Sequence, residues 1–120
     1  MRFLGYTLGD ETVPQPPPSP ELFEEMGKFI GEATKAGVIV ATGGIAPTAM
    51  GAKITLKDGE FTVTDGPFTE TKELVAGFAI IDVPSKAEAV AWTKRFLSVV
   101  GHGESEIRLM HDAPAAAGRV

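Results

Sequence analysis

The sequence predicts an α+β fold: an antiparallel sheet in a split β-α-β order, two helices on one face, and a β-hairpin inserted midway. Three observations predict it. Short aliphatic and aromatic runs alternate with two longer segments whose apolar residues recur at helical spacing. Each of those two segments opens on a capping signal. Between them, an Asp-Gly turn joins two stretches whose residues match by type when counted outward.

RFLGYTL (2–8) reads as a first strand ending at Gly9-Asp10. ETVPQPPPSP (11–20) holds five prolines in ten residues, and proline fixes φ and removes amide donors, so this is extended loop. It ends at Ser19-Pro20-Glu21, with an N-cap serine, a proline at the first helical position and an acid in the first turn. The helix over 19–36 carries Leu22, Met26, Phe29, Ile30 and Ala33 on one stripe and stops at Gly37. Gly27 and Gly31 inside it each cost about 1 kcal/mol against alanine. Close packing of the helix backbone against a strand is the expected compensation.

VIVATGGI (38–45) reads as a buried strand breaking at Gly43-Gly44. In AKITLKDGEFTVT (52–64), Asp58-Gly59 is a two-residue turn of the kind that accepts positive φ. Counting outward pairs Lys57 with Glu60, Leu56 with Phe61, Thr55 with Thr62 and Ile54 with Val63, which puts the apolar residues on one face. LVAGFAIIDV (74–83) is nearly continuous apolar and is expected to be a central strand covered on both faces. Ser85-Lys86-Ala87-Glu88 is a capping box opening a helix over 85–98, with Ala87, Val90, Ala91, Lys94 and Leu97 along one side. Val99 to Gly103 reads as loop, and ESEIRLM (104–110) alternates as a last strand. The order β-α-β-hairpin-β-α-β is the ferredoxin-like plan. One domain is expected over 1–112, followed by a disordered small-residue tail at 113–120.

Composition narrows the function. At 120 residues, 43% hydrophobic and 22% charged, the chain has the makings of one globular core. A net charge of −5 with scattered basic residues argues against a nucleic-acid surface. No cysteine is present, which excludes disulfides, thiolate nucleophiles and cysteine-held zinc. No basic start is followed by a long apolar stretch, so neither a signal peptide nor a membrane span is read, and a cytoplasmic location is expected. His102 and His111 stand nine apart, with Asp112 beside the second, and this is not a metal-ligand spacing. Neither GxGxxG nor GxxxxGK[ST] occurs, so no cofactor is expected; Gly43 and Gly44 remain positions where a ligand can approach the backbone. No serine lies in a GxSxG elbow.

DGPFTETKE (65–73) is the densest cluster of proton-handling side chains, set between two apolar runs. As scaffold, Asp65-Gly66-Pro67 makes a turn, Phe68 caps the core, and Glu70, Lys72 and Glu73 face water. As a site, a carboxylate at the mouth of a buried strand is partly desolvated and its pKa rises toward values useful in proton transfer, with Phe68 against the ligand.

TDGPFTETKE (64–73) resembles the motif that names the DGPF domains, a branch of the YCII-related proteins. PSPELFEEMGKF (18–29), AGVIVATGGIAPT (36–48), AGFAIIDVPSKAEAVAW (76–92) and HGESEIRLM (102–110) are similar to that family in the same order. The resemblance implies a ferredoxin-like fold that pairs its sheet with a second copy into a dimeric α/β barrel, with pockets near the subunit junction. It also implies a histidine–aspartate pair in those members described as enzymes, and a link to extracytoplasmic-type sigma factors in others. The family's early histidine has no counterpart, because no histidine precedes His102. The proton-transfer candidates lying in family-like segments are Asp65 and His102.

Three functions compete. The first is a cofactor-independent acid–base enzyme on a small molecule, with Asp65 or Glu70 as base, His102 as acid and Lys72 facing a developing oxyanion. The second is a non-catalytic metabolite-binding or regulatory module, docking on a partner such as a sigma factor. The third is a structural dimer. A homodimer is expected in each case, because Phe3, Ile39, Phe78 and Ile80 offer more apolar surface than one helical layer hides.

Overall fold

The computed structural model describes residues 1–10, 17–67 and 74–111. The disorder expected of 113–120 falls outside the described residues. Chain order is β1 (Arg2–Gly9), α1 (Pro20–Lys35), β2 (Ile39–Gly44), a 3-10 turn (Thr48–Met50), β3 (Ala52–Lys57), β4 (Glu60–Asp65), β5 (Leu74–Asp82), α2 (Lys86–Val100) and β6 (Glu104–Leu109). The main sheet has the order β2-β5-β1-β6 with every neighbouring pair antiparallel. The fold is therefore α+β and ferredoxin-like, with β3 and β4 as a separate two-stranded sheet. Among the described residues no helix is long and apolar enough to cross a membrane.

The local signals act as their chemistry requires. Ser19 Oγ accepts from the Leu22 amide at 3.1 Å, and Ser85 Oγ from the Glu88 amide at 3.2 Å. Asp58 and Gly59 take φ of 52° and 78°, and the hairpin pairs Lys57 with Glu60, Leu56 with Phe61, Thr55 with Thr62 and Ile54 with Val63. Helix α2 runs on through Val99 and Val100, which had read as loop, and ends at Gly101 with φ 93°.

The core lies between the helices and one sheet face. Phe3 and Ile81 are cross-strand partners there, packed with Ala33, Val38, Val83 and Ala89. Phe3 and Ile39 thus belong to the helix-covered face, not to the surplus apolar surface. The inward side of α2 is Ala89, Trp92 and Phe96, whereas Ala87, Ala91 and Lys94 are exposed. Three aromatic rings, not an alanine stripe, decide how that helix sits. Gly27 and Gly31 are not packed: an added Cβ at either would meet nothing within 4 Å. Strand β5 is central, but only one of its faces lies under helices. Phe78 and Ile80 point to the other face with Leu4, Tyr6 and Leu8 of β1, all half-buried.

Candidate functional site

Strands β5 and β6 both run antiparallel to β1, so they run parallel to each other. Their starts, Leu74 and Glu104, therefore fall at the sheet end where β1 and β2 finish. A register shift between Thr7 and Leu8 leaves Ala76 without a partner in β1. The Ala76 carbonyl accepts instead from the Ile45 amide at 2.9 Å, pinning the segment after β2 against β5. The four strand ends and the last turns of α2 enclose a cleft of about 580 Å³.

Its polar lining includes Asp10, His102 and Glu104, and its apolar walls include Ile45, Pro47, Leu74, Phe96, Leu97 and Val100. His102 sits between Gly101 and Gly103, at φ 93° and 116°, and the Gly101 amide closes the helix on the Leu97 carbonyl at 2.8 Å. Two left-handed residues in three turn the chain sharply from α2 into β6 and set the exposed His102 at the cleft.

Asp65 ends β4 opposite Ala52, is exposed, and does not line the cleft. Next to it, the Gly66 amide donates to the Gly51 carbonyl at 3.0 Å. Gly66 lies against the Thr48 backbone so closely that a Cβ there would stand 1.6 Å from the Thr48 carbonyl oxygen. The Gly66–Pro67 peptide is cis. The Asp-Gly-Pro corner is thus docked on the turn that follows Pro47, a cleft-wall residue. Phe68, Glu70 and Lys72 lie outside the described residues; their segment rejoins the described chain at Leu74, in the cleft wall.

Gly43 and Gly44 end β2, opposite Phe78 and Gly77. They do not line the cleft either. Gly43 borders a second, smaller cavity of about 140 Å³ between the helices and the sheet. Asp10 and Glu104, which the sequence reading passed over, share the cleft with His102. The signal for both was their position, one residue past the end of β1 and at the start of β6.

On the open sheet face Tyr6 stands opposite Glu106. Its hydrogen bond to the Glu106 carboxylate raises the phenol pKa, helped by removal from water and by the Glu106 charge, and opposed by Arg108.

A family model described as the YCII-related domain matches residues 1–110 of the chain. No curated protein matches it.

Proposed function

The chain belongs to the YCII-related domain family, and on that premise we propose that it is an acid–base enzyme acting on a small molecule without a cofactor. The reacting group of the substrate lies in the cleft at the sheet end. The observation that carries this reading is the presence of His102, Asp10 and Glu104 in one cleft whose other walls are largely apolar. Imidazole is the side chain suited to both taking and returning a proton near neutrality. A neighbouring carboxylate that accepts from one ring nitrogen fixes the tautomer and leaves the other nitrogen to the substrate. His102 and Glu104 are exposed, so the substrate itself has to displace water from the cleft.

Glu70 and Lys72 belong to the segment that feeds the cleft wall at Leu74, and we assign them the second proton-transfer group and the stabiliser of negative charge. Phe68 is assigned a contact with the ligand. Asp65 completes the set through a second copy of the chain, whose Asp-Gly-Pro corner is brought to the cleft mouth. That assembly is a homodimer. Supporting it, Ile54, Leu56, Phe61 and Val63 are 62%, 61%, 72% and 64% exposed on one hairpin face, and the outer sheet face adds Leu4, Leu8, Phe78 and Ile80. An apolar surface of that kind favours association. Light scattering is expected to give twice the chain mass, and a monomer at micromolar concentration overturns the assembly.

The catalytic test is turnover of a compound panel against pH by the parent, His102→Gln and Asp65→Asn. A bell-shaped profile in the parent, flattened or lost in His102→Gln at unchanged melting temperature, is the expected result. Turnover in His102→Gln with the parent's rate and profile refutes the assignment. If Asp65→Asn only lowers the melting temperature, Asp65 is a turn residue and leaves the site.

A further inference from the structure

We propose that the substrate carries a compact apolar group, an aromatic ring or an aliphatic group of similar size, held in the 140 Å³ cavity beneath the helices. This names a substrate class for the reading above and rests on it: the cavity takes the apolar end of the molecule whose polar end faces His102.

The cavity floor is Gly5, Gly77 and Ala79, and its roof is Phe29, Trp92 and Phe96. Protein interiors are close-packed, and voids larger than a water molecule are few. An apolar cavity of about 150 Å³ stays dry and accepts benzene or xenon. The cavity of about 140 Å³ here is of that size. Simple packing would have filled it. A Cβ at Gly5 would meet nothing nearer than Ile107 Cγ2 at 3.6 Å, ordinary contact, so the floor has room for a methyl that the chain omits.

The roof is braced from outside. Phe29 stands 6.1 Å from Trp92 and 6.3 Å from Phe96, in tilted packing. The Arg95 guanidinium lies 4.6 Å from the Trp92 centroid and 5.6 Å from that of Phe29, and it is bonded to Glu32 of the other helix. This clamp on the solvent side ties the rings of the two helices to one another. Two of the hydroxyls at the lining are directed at backbone: Thr93 Oγ1 donates to the Ala89 carbonyl at 2.8 Å, and Thr7 Oγ1 to the Gly77 carbonyl at 3.5 Å. The lining therefore recognises shape and apolarity.

The cavity adjoins the cleft. Thr7 and Phe96 line both spaces. A molecule with its ring beneath the helices has to pass Thr7 and Phe96 to present a polar group to the cleft that His102 lines.

Benzene is the probe, because it has no proton to exchange and its binding does not depend on His102. Trp92 is the single tryptophan of the chain, so its indole N–H gives one resolved NMR reporter in the roof. Titration of the parent and of His102→Gln is expected to give the same saturable Trp92 shift. Gly5→Ala and Ala79→Val, which fill the floor, are expected to weaken benzene by about tenfold or more. Absence of a saturable shift in the parent overturns the proposal. So does undiminished binding in a folded floor variant, since the probe is then bound elsewhere. A parent that binds benzene but turns over nothing in the pH panel overturns the enzymatic reading and leaves the cavity a binding site. Saturable benzene binding with unchanged kinetics in His102→Gln removes His102 alone.

Discussion

Replacing Gly66 by alanine tests the docking of the Asp-Gly-Pro corner. The added methyl would stand 1.6 Å from the Thr48 carbonyl oxygen, 2.4 Å from its carbon and 3.0 Å from the Ala49 nitrogen. Non-bonded heavy atoms rest about 3.5 Å apart, so the corner has to move by about 2 Å. All three contacts are with backbone, which cannot swing aside as a side chain would. The Gly66 amide then loses its 3.0 Å bond to the Gly51 carbonyl, worth about 1 kcal/mol. Relief of the overlap adds about 1–2 kcal/mol. The sum, about 2–3 kcal/mol, acts on docking of the corner more than on the four-stranded body. Native-state hydrogen exchange separates the two: the amide at position 66 is expected to exchange about 30- to 150-fold faster. Amides of β1 and β5 keep their protection. Unchanged exchange at position 66 in Gly66→Ala would show that the close approach to Thr48 does not exist.

Gly27→Ala and Gly31→Ala add a methyl that meets nothing within 4 Å in the middle of α1, so each is expected to stabilise by about 0.5–1 kcal/mol; a lower urea midpoint for either contradicts this. The single tyrosine, Tyr6, is expected to ionise above the ordinary 10.0 in a near-ultraviolet absorbance titration, and Glu106→Gln to bring it back down. Because the folded state raises this pKa, the associated stability is fully present below the ordinary value and is lost as pH rises through the raised one. A phenol that titrates at the same pH in parent and Glu106→Gln rules out the bond.

The elements were legible because their signals are local. Serine caps, the Asp58-Gly59 turn and the alternation of β6 need only neighbouring residues, and the hairpin register followed from counting. What was lost needed three dimensions. The inward face of α2 could not be told from an alanine stripe, because alanine is compatible with either side and the choice fell to Trp92 and Phe96 meeting Phe29. The glycines of α1 looked like packing positions but face open space. His102 was legible as a candidate, whereas Asp10 and Glu104 acquire meaning only when β5 and β6 are known to start at one end. Gly66 was readable as turn chemistry; its contact with Thr48, eighteen residues earlier, was not.

The hairpin has a consequence for how this chain can change. Ala52 and Asp65 are directly paired at its base, so the stretch between them leaves and rejoins the body at neighbouring points. Among the described residues its strands share no ladder with the main sheet. Residues 53–64 can therefore be excised, with a short turn joining the two ends, while β1, β2, β5 and β6 keep every pairing they have. If the exposed hairpin face serves association beside the outer sheet face, as proposed, the hairpin's share of self-recognition is written in a passage of the sequence that the four-stranded sheet does not use. That share is then free to drift, lengthen or specialise without rewriting the fold.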